Sequence, residues 1–252
     1  LFRSHQDIYS TRSTGFSILS SSNVEDAYYL GLVSHLSALE SSIPVLHFFD
    51  GFRTSHEINM VSTLNDEEIK SLINMDYVNK FRDHAINVGK CITRGTSETE
   101  DVYFQNTEAR NELYNNTPDI VNSYMEKINE LTGKDYKPFN YYGAKNAKYV
   151  IVAMGSVCDT IKLVIDEINK EDDECGLINV HLYRPFSLDY FLKVLPKSAI
   201  KVTVLDRTKE AGSLCEPLYL DVCAALKGED IEIVGGRYGL SSKDTTPGMI
   251  YY

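Results

Sequence analysis

The sequence has no tryptophan, five cysteines and no apolar run close to the roughly eighteen residues that a bilayer-spanning helix needs. The cysteines are odd in number and none lies in a Cys-x-x-Cys pair; they are Cys91, Cys158, Cys175, Cys215 and Cys223. This pattern argues against a disulfide framework and against a zinc or iron–sulfur site on this chain. It predicts reduced thiols in a cytoplasmic, aqueous compartment and no contact with a membrane.

Basic residues are also in deficit. The chain has 25 lysines and arginines against 36 aspartates and glutamates, a net charge of -11, whereas nucleic-acid binding needs clustered positive charge. We therefore expect no nucleic-acid partner and interpret the acidity as a solvated surface.

No metal site is predicted, because His5, His35, His84 and His181 lack metal-ligand spacing. The nucleophile elbow, the phosphate loop and the dinucleotide fingerprint are missing, so no catalytic or substrate-binding residue is assigned.

The hydrophobic pattern predicts an α/β protein with two units, residues 1–135 and 137–252, each a mainly parallel sheet flanked by helices. Gly133 ends the last helix of the first unit, and Pro138 prevents its immediate resumption. Another helix is predicted to open at Pro118, and residues 94–101 are predicted to form a polar loop. The predicted strands are Phe16–Leu19, Val45–Phe49, Tyr149–Ala153, Leu177–Leu182, Val202–Leu205 and Ile231–Val234.

The most informative segment follows the predicted strand Val45–Phe49. An apolar run of this length is typical of a buried parallel strand, and ligands bind at the carboxyl ends of such strands in open α/β sheets. The loop after it carries a carboxylate, a guanidinium and an imidazole on Asp50, Arg53 and His56. These side chains are candidates for acid–base work near a cofactor, but a loop rich in Asp, Ser and Thr also satisfies its own backbone. Both interpretations stay open at this point.

The predicted strands of the second unit are also followed by polar loops, and parallel strands would bring those loops to one edge. The cations in them are Arg184, Arg207, Lys209 and Arg237. They could hold an anion such as a phosphate or carboxylate, or form salt bridges with a neighbouring domain. The interdomain role is preferred, because acidic residues lie near these cations. Those acidic residues are Asp206, Glu210, Glu216 and Asp244.

Four segments resemble the pyruvate:ferredoxin oxidoreductase family, whose members decarboxylate pyruvate with thiamine diphosphate. The match runs along the whole chain, in order and with compatible spacing. The segments are His5–Tyr9 with Thr14–Phe16; Phe48–Ile58; Leu182–Phe186 with Val204–Glu210; and Glu216–Val222 with Gly235–Asp244.

The resemblance implies a fragment of a longer enzyme that converts pyruvate and coenzyme A to acetyl-CoA and CO2. Electrons would pass through iron–sulfur clusters to ferredoxin, flavodoxin or, through a fused NADPH-reductase domain, NADP. Residues 1–135 resemble the later part of the domain that binds the pyrimidine half of thiamine diphosphate. Residues 137–252 resemble the transketolase C-terminal-like domain that follows it. The remaining domains of the same polypeptide are then the chain's partners.

For the full-length enzyme, the resemblance implies a homodimer with thiamine diphosphate, Mg²⁺, 4Fe–4S clusters and coenzyme A. None of these is expected on the fragment alone, which is expected to be inactive. The family's activating glutamate and pyruvate-binding residues lie upstream of the matching segments. Because it follows a predicted strand, the loop with Asp50, Arg53 and His56 is expected to line the cofactor cleft, with Arg53 or His56 orienting neighbouring groups.

Two other functions fit the residues. A related module serves as a non-catalytic scaffold in some sulfite reductase flavoprotein subunits, and a free-standing domain that binds a small anion would also use a basic rim. The close match of the loops favours the catalytic family.

Overall fold

The structure, a computed structural model, describes residues 5–91, 97–172 and 174–251. Within these ranges it confirms the predicted α/β class, since helices flank two sheets that both contain parallel strands. Each predicted strand is present within a few residues of its predicted ends. The predicted strand Leu177–Leu182 is divided between the two sheets.

The first sheet consists of β1 (Ser17–Ser21), β2 (Val45–Phe49) and β6 (Leu182–Arg184), in the order β2-β1-β6. The pair β1–β2 is parallel, and β1–β6 is antiparallel. The helix α2 (Val24–Ser41) connects β1 to β2 and begins after Asn23, whose side-chain oxygen accepts a hydrogen bond from the Asp26 N–H at 2.9 Å. This strand–helix–strand unit connects two parallel strands, as the predicted α/β class requires.

The second sheet consists of β3 (Phe139–Gly143), β4 (Tyr149–Ala153), β5 (Cys175–Val180), β7 (Lys201–Asp206) and β8 (Glu232–Arg237), in the order β3-β5-β4-β7-β8. Its neighbouring strands are parallel, apart from the antiparallel pair β3–β5. After β4 the chain adds β5 on one side and then β7 on the other. The strand order therefore reverses between β4 and β7, which is where ligands bind in open α/β sheets.

The other helices lie around these sheets. In the described ranges they are α1 (Gln6–Ser10), α3 (Asp66–Leu72), α4 (Met75–Asp83), α5 (Glu100–Glu108), α6 (Asn111–Thr132), α7 (Val157–Ile168), α8 (Leu188–Val194), α9 (Pro217–Ala225) and α10 (Pro247–Tyr251), with a 3₁₀ turn at Leu240–Ser242.

Adjacent residues of β1 point to opposite sides of the first sheet and enter different cores. Leu19 belongs to a core with Leu30 of α2 and Val121 of α6. Ile18 belongs to another core that includes Val152 of β4 and Leu218 of α9. Because strand side chains alternate between faces, the first sheet is covered by its own helices on one face and by the second unit on the other. Residues 1–135 and 137–252 therefore share a hydrophobic core, and we refer to these two stretches as the first and the second unit.

The predicted strand Leu177–Leu182 changes sheets partway along. Residues up to Val180 pair within the second sheet, whereas β6 pairs with β1 in the first. At the crossing point, the His181 carbonyl accepts from the Ser20 N–H at 2.7 Å, and the His181 N–H donates to the Pro138 carbonyl at 3.0 Å. Residues 176–183 are all buried, so burial does not change at the crossing. The sequence pattern therefore did not reveal it.

The predicted start of one helix and the predicted extent of one loop were wrong. The helix α6 begins at Asn111 and contains Pro118, because tertiary contacts hold the turns before the proline. The Tyr114 hydroxyl, for example, donates to the Gly15 carbonyl at 2.9 Å. The predicted loop 94–101 is cut short because α5 begins at Glu100; its residues 94–96 lie outside the described residues.

Candidate functional site

The loop after β2 is held by bonds within itself. The N–H groups of Thr54 and Ser55 donate to the Asp50 carbonyl at 3.1 and 3.2 Å. The Phe52 N–H donates to the Ser55 hydroxyl at 2.8 Å, while Phe52 has a positive φ of 66°. The loop therefore satisfies much of its own backbone, which was one of the two interpretations of its composition.

The Asp50 carboxylate lies between the two units and is buried. Its Oδ1 accepts from His5 Nε2 at 2.6 Å and from Arg207 Nη1 at 2.8 Å. Its Oδ2 accepts from the Ser156 N–H at 2.8 Å and from the Ser156 hydroxyl at 2.6 Å. Since an ionised carboxylate only accepts hydrogen bonds, these four donors match its acceptor sites. We call Asp50, His5, Arg207 and Ser156 the Asp50 cluster.

The fold brings the Asp50 cluster together at the carboxyl ends of parallel strands. Ser156 follows β4 and precedes α7, Arg207 follows β7, and Asp50 follows β2. Gly155 has a φ of 83°, and a Cβ on it would lie 2.9 Å from Asp50 Oδ2. Only glycine combines this backbone conformation with so close an approach of the carboxylate. The cluster thus occupies the point between β4 and β7 where the strand order reverses.

The charges around Asp50 control its ionisation. Burial acts to raise the pKa of Asp50, but the hydrogen bond and charge of His5, the charge of Arg207 and the hydrogen bond from Ser156 together hold that pKa well below its usual value. Arg207 is 4 % exposed, so its charge is poorly screened by solvent. The cluster is therefore an ionised carboxylate with a buried guanidinium beside it.

The cluster predicts a loss of stability in acid. Because the pKa of Asp50 is lower in the folded chain than in the unfolded one, its ionised form stabilises the fold above the unfolded value of about 4. That contribution is lost as the pH falls from about 4 toward the folded value. We expect the urea midpoint of the wild type to fall more steeply than that of Asp50→Asn between about pH 6 and pH 3. Parallel curves for the two proteins would contradict this assignment.

A second buried carboxylate lies next to the cluster. Asp206 accepts from the Tyr9 hydroxyl at 2.7 Å and from the N–H groups of Leu218 and Tyr219 at 3.1 and 3.0 Å. Asp206 thereby caps the N-terminus of α9. Burial raises the pKa of Asp206 despite these bonds, and burial together with the charge of Asp206 raises the pKa of Tyr9. This pair ties α1 of the first unit to the end of β7.

The predicted cationic rim does not form a single cluster. Arg184 Nη2 contacts Asp221 Oδ2 at 2.8 Å, whereas Lys209 Nζ and Arg237 Nε contact Glu216 Oε1 at 3.5 and 3.2 Å. These pairs lie within the second unit. Arg207 differs, because its guanidinium crosses to Asp50 of the first unit.

The other two residues predicted on the loop lie closer to solvent. Arg53 forms an ion pair with Asp244, which reaches across from the second unit. The His56 ring stacks on Phe52 with centroids 4.9 Å apart, and its Nδ1 is 2.8 Å from the Ser55 hydroxyl. The structure therefore places Asp50 inside the interface, Arg53 at its edge and His56 on its surface.

A polar cavity of about 270 Å³ adjoins the Asp50 cluster. Arg53, Arg207 and Lys243 line it together with Glu57 and Asp159, so charges of both signs face the space. Within residues 5–91, 97–172 and 174–251, no group of three or more His, Cys, Asp or Glu side chains could hold a metal ion. In the same ranges, no helix is long and apolar enough to cross a membrane.

Sequence reasoning missed three members of this arrangement. From the sequence, His5 was considered only as a possible metal ligand, whereas the structure shows it packed, 3 % exposed and bonded to Asp50. Ser156 and Tyr9 were given no specific role. The signal for Ser156 was present, since Gly155-Ser156 directly follows a predicted strand at the point where a helix begins. No comparable local pattern marks His5 or Tyr9, because their partners are distant in sequence.

Comparison with known proteins gives two matching family models in chain order. Residues 1–126 match the family described as pyruvate flavodoxin/ferredoxin oxidoreductase, thiamine diphosphate-binding. Residues 147–250 match pyruvate:ferredoxin oxidoreductase core domain II. The chain belongs to the pyruvate flavodoxin/ferredoxin oxidoreductase family. The predicted resemblance is thereby confirmed.

Relatives of this family match the chain along nearly its whole length. A pyruvate-flavodoxin oxidoreductase of Enterobacter agglomerans is 48% identical over 252 residues, covering 99% of this chain and 22% of the relative. A pyruvate:ferredoxin oxidoreductase of Moorella thermoacetica is 46% identical with the same coverage. A pyruvate dehydrogenase [NADP(+)] of Cryptosporidium parvum is 45% identical over 255 residues, covering 99% of this chain and 13% of the relative. The chain thus spans about a fifth or less of the length of these relatives.

A solved structure supports the fold. The 2-oxoglutarate:ferredoxin oxidoreductase from Magnetococcus marinus aligns with a TM-score of 0.56 over 99% of this chain and 44% of that chain. Because the sequence identity is 14%, this likeness shows the shared fold alone.

Proposed function

We propose that this chain acts within a longer pyruvate oxidoreductase that converts pyruvate and coenzyme A to acetyl-CoA and CO2. The observation that carries the proposal is the end-to-end match at 48% identity over 99% of the chain, with both family models in order. The relatives' names include flavodoxin, ferredoxin and NADP(+), so the proposal covers all three electron acceptors. These relatives are named as enzymes, and the non-catalytic scaffold is therefore not favoured.

In that enzyme the chain would supply structure around the reaction rather than the reacting group. Thiamine diphosphate supplies an electron sink for decarboxylation when it is bound. Among the described residues, no three or more His, Cys, Asp or Glu side chains come together as a group that could hold a metal ion. We propose that Mg²⁺, the 4Fe–4S clusters and coenzyme A are held by other domains of the complete enzyme. The division at residues 1–135 and 137–252, the homodimer and the cytoplasmic location are part of the same proposal.

The chain's own contribution is to fix the loop after β2 against the second unit. The Asp50 carboxylate is fully engaged by His5, Arg207 and Ser156, so it can anchor the loop. Arg53 and His56 extend from this anchor toward solvent. We propose that these two side chains face the cofactor cleft of the complete enzyme and orient neighbouring groups there.

The reaction is tested with the complete protein that carries this sequence. We expect CO2 release that requires both pyruvate and coenzyme A and is sustained by at least one of ferredoxin, flavodoxin and NADP. 2-Oxoglutarate in place of pyruvate serves as the substrate control. A folded, cofactor-loaded protein that releases no CO2 from pyruvate with any acceptor would overturn the proposed reaction.

The role of the loop is tested separately in the same protein. Arg53→Met and His56→Ala are each expected to lower kcat/KM for pyruvate or coenzyme A by roughly tenfold. Arg82→Met, at the exposed end of α4, is the matched control and is expected to leave both values unchanged. Unchanged kinetics in both loop variants would contradict the proposal that this loop faces the cofactor cleft.

A further inference from the structure

The reversal point between β4 and β7 has the features of a ligand site. In open α/β sheets, ligands bind in the crevice outside the carboxyl ends of the strands at such a point. Here the crevice is bounded by the turn Gly155-Ser156 after β4 and by Arg207 after β7. The helix α7, which starts at this turn, has 12 residues and directs the positive end of its dipole into the crevice. The side chain of Asp50, which belongs to the first unit, fills this crevice.

The donors in this crevice converge on one small anion. A backbone N–H and a hydroxyl come from Ser156, a guanidinium nitrogen from Arg207 and a ring nitrogen from His5, all within 2.6 to 2.8 Å of the two Asp50 oxygens. The guanidinium and the imidazole come from side chains that are 4 % and 3 % exposed. Gly155 leaves room for the anion where any other residue would place a Cβ. This is a built, desolvated oxyanion site and not an exposed ion pair.

We propose that the crevice between β4 and β7 is a carboxylate-binding site whose ligand is supplied in cis by Asp50. The chemical class that fits is a single small monocarboxylate, because the four donors surround one carboxyl group. The cavity of about 270 Å³ that adjoins the site is lined by both Ser156 and Arg207, so it gives a small anion from solvent a path to the same donors. This inference does not depend on the proposed oxidoreductase function.

The proposal makes a size-specific prediction when the internal ligand is shortened. Asp50→Ala keeps the Cβ and removes one carboxyl group, which leaves a space that formate fills. Asp50→Gly also removes the Cβ, which leaves a space that acetate fills. Asp50→Asn retains the bulk of the side chain and leaves no space for either anion. We therefore expect formate to restore the hydrogen-exchange protection of Asp50→Ala best, and acetate to restore that of Asp50→Gly best.

The experiment is hydrogen exchange with mass spectrometry on the complete protein, followed over residues 46–57 and 155–161. In Asp50→Ala these segments are expected to exchange about tenfold faster than in the wild type. Formate at about 200 mM is expected to recover most of that protection, whereas chloride at equal ionic strength is not. Acetate is expected to act likewise on Asp50→Gly and weakly on Asp50→Ala.

Two controls separate the site from general effects of salt. Asp50→Asn and Asp244→Ala, the latter lacking the exposed pair with Arg53, are expected to gain no protection from either carboxylate beyond that given by chloride. A variant that is unfolded in chloride is refolded from urea in its matching carboxylate, and we expect the hydrogen-exchange protection of α2 to be regained. Equal effects of formate, acetate and chloride on both shortened variants, or no return on refolding, would overturn the proposal. Hydrogen exchange is measured without turnover. A negative result in this experiment therefore does not test the proposed reaction.

Discussion

Replacing Arg207 by Met is expected to destabilise the chain by about 3–5 kcal/mol, because it leaves a buried carboxylate without its guanidinium partner. Arg207 Nη1 lies 2.8 Å from Asp50 Oδ1, and the two side chains are 4 % and 1 % exposed. Methionine fills much of the same volume, so the loss reports the ion pair and not a cavity. The measurement is the free energy of urea unfolding followed by far-UV circular dichroism, since the chain has no tryptophan.

The matched control is Arg237→Met on the same rim. Arg237 contacts Glu216 at 3.2 Å, and its own side chain is 51 % exposed although that of Glu216 is 8 % exposed. Because Glu216 keeps Lys209 and the Glu210 N–H as partners, we expect a loss of about 1 kcal/mol or less. We therefore expect a clear gap between the two variants. Equal losses would mean that Arg207 does not differ from the other rim cations.

Replacing Gly155 by Ala is expected to cost about 2–4 kcal/mol through backbone strain and crowding of the Asp50 cluster. The backbone of Gly155 has a φ of 83°, and a Cβ would lie 2.9 Å from Asp50 Oδ2 and 3.2 Å from His5 Nε2. Neither group can withdraw easily, because both are buried and hydrogen-bonded. Urea unfolding again gives the free energy.

Gly212→Ala separates the strain from the crowding. Gly212 has a φ of 84°, nearly that of Gly155, and nothing lies within 4 Å of its would-be Cβ. This variant should therefore lose only about 1–2 kcal/mol through its backbone conformation. A loss as large as that of Gly155→Ala would show that the Asp50 cluster adds no packing constraint.

Much of the fold could be predicted from local sequence pattern. The apolar runs at Val45–Phe49 and Tyr149–Ala153 gave strands with the predicted bounds, and Tyr149–Ala153 lies inside its sheet as a mostly buried parallel strand. The predicted burial of Val45–Phe49 was wrong, because this strand is at the edge of the first sheet and Phe49 is exposed. Antiparallel pairing at β3 and β6 could not be predicted, since both are edge or crossing strands defined by their neighbours. The helix before Pro118 was missed because tertiary contacts outweigh propensity there.

The candidate site was only partly predictable for a related physical reason. The loop after β2 and the cation Arg207 were both identified from their positions at predicted strand ends. Their direct pairing depends on how the two units pack, and Asp50 and Arg207 are far apart in the sequence. The same holds for His5, which is separated from Asp50 by 45 positions. Long-range pairings of this kind leave no periodic signal in the chain.

The Asp50 carboxylate joins the first unit to the second at the reversal point of the second sheet. A double-mutant cycle on Asp50→Asn and Arg207→Met in urea unfolding tests it most directly. We predict that the double variant loses about 2 kcal/mol less stability than the sum of the single variants. Additive losses, equal within about 0.5 kcal/mol, would contradict it.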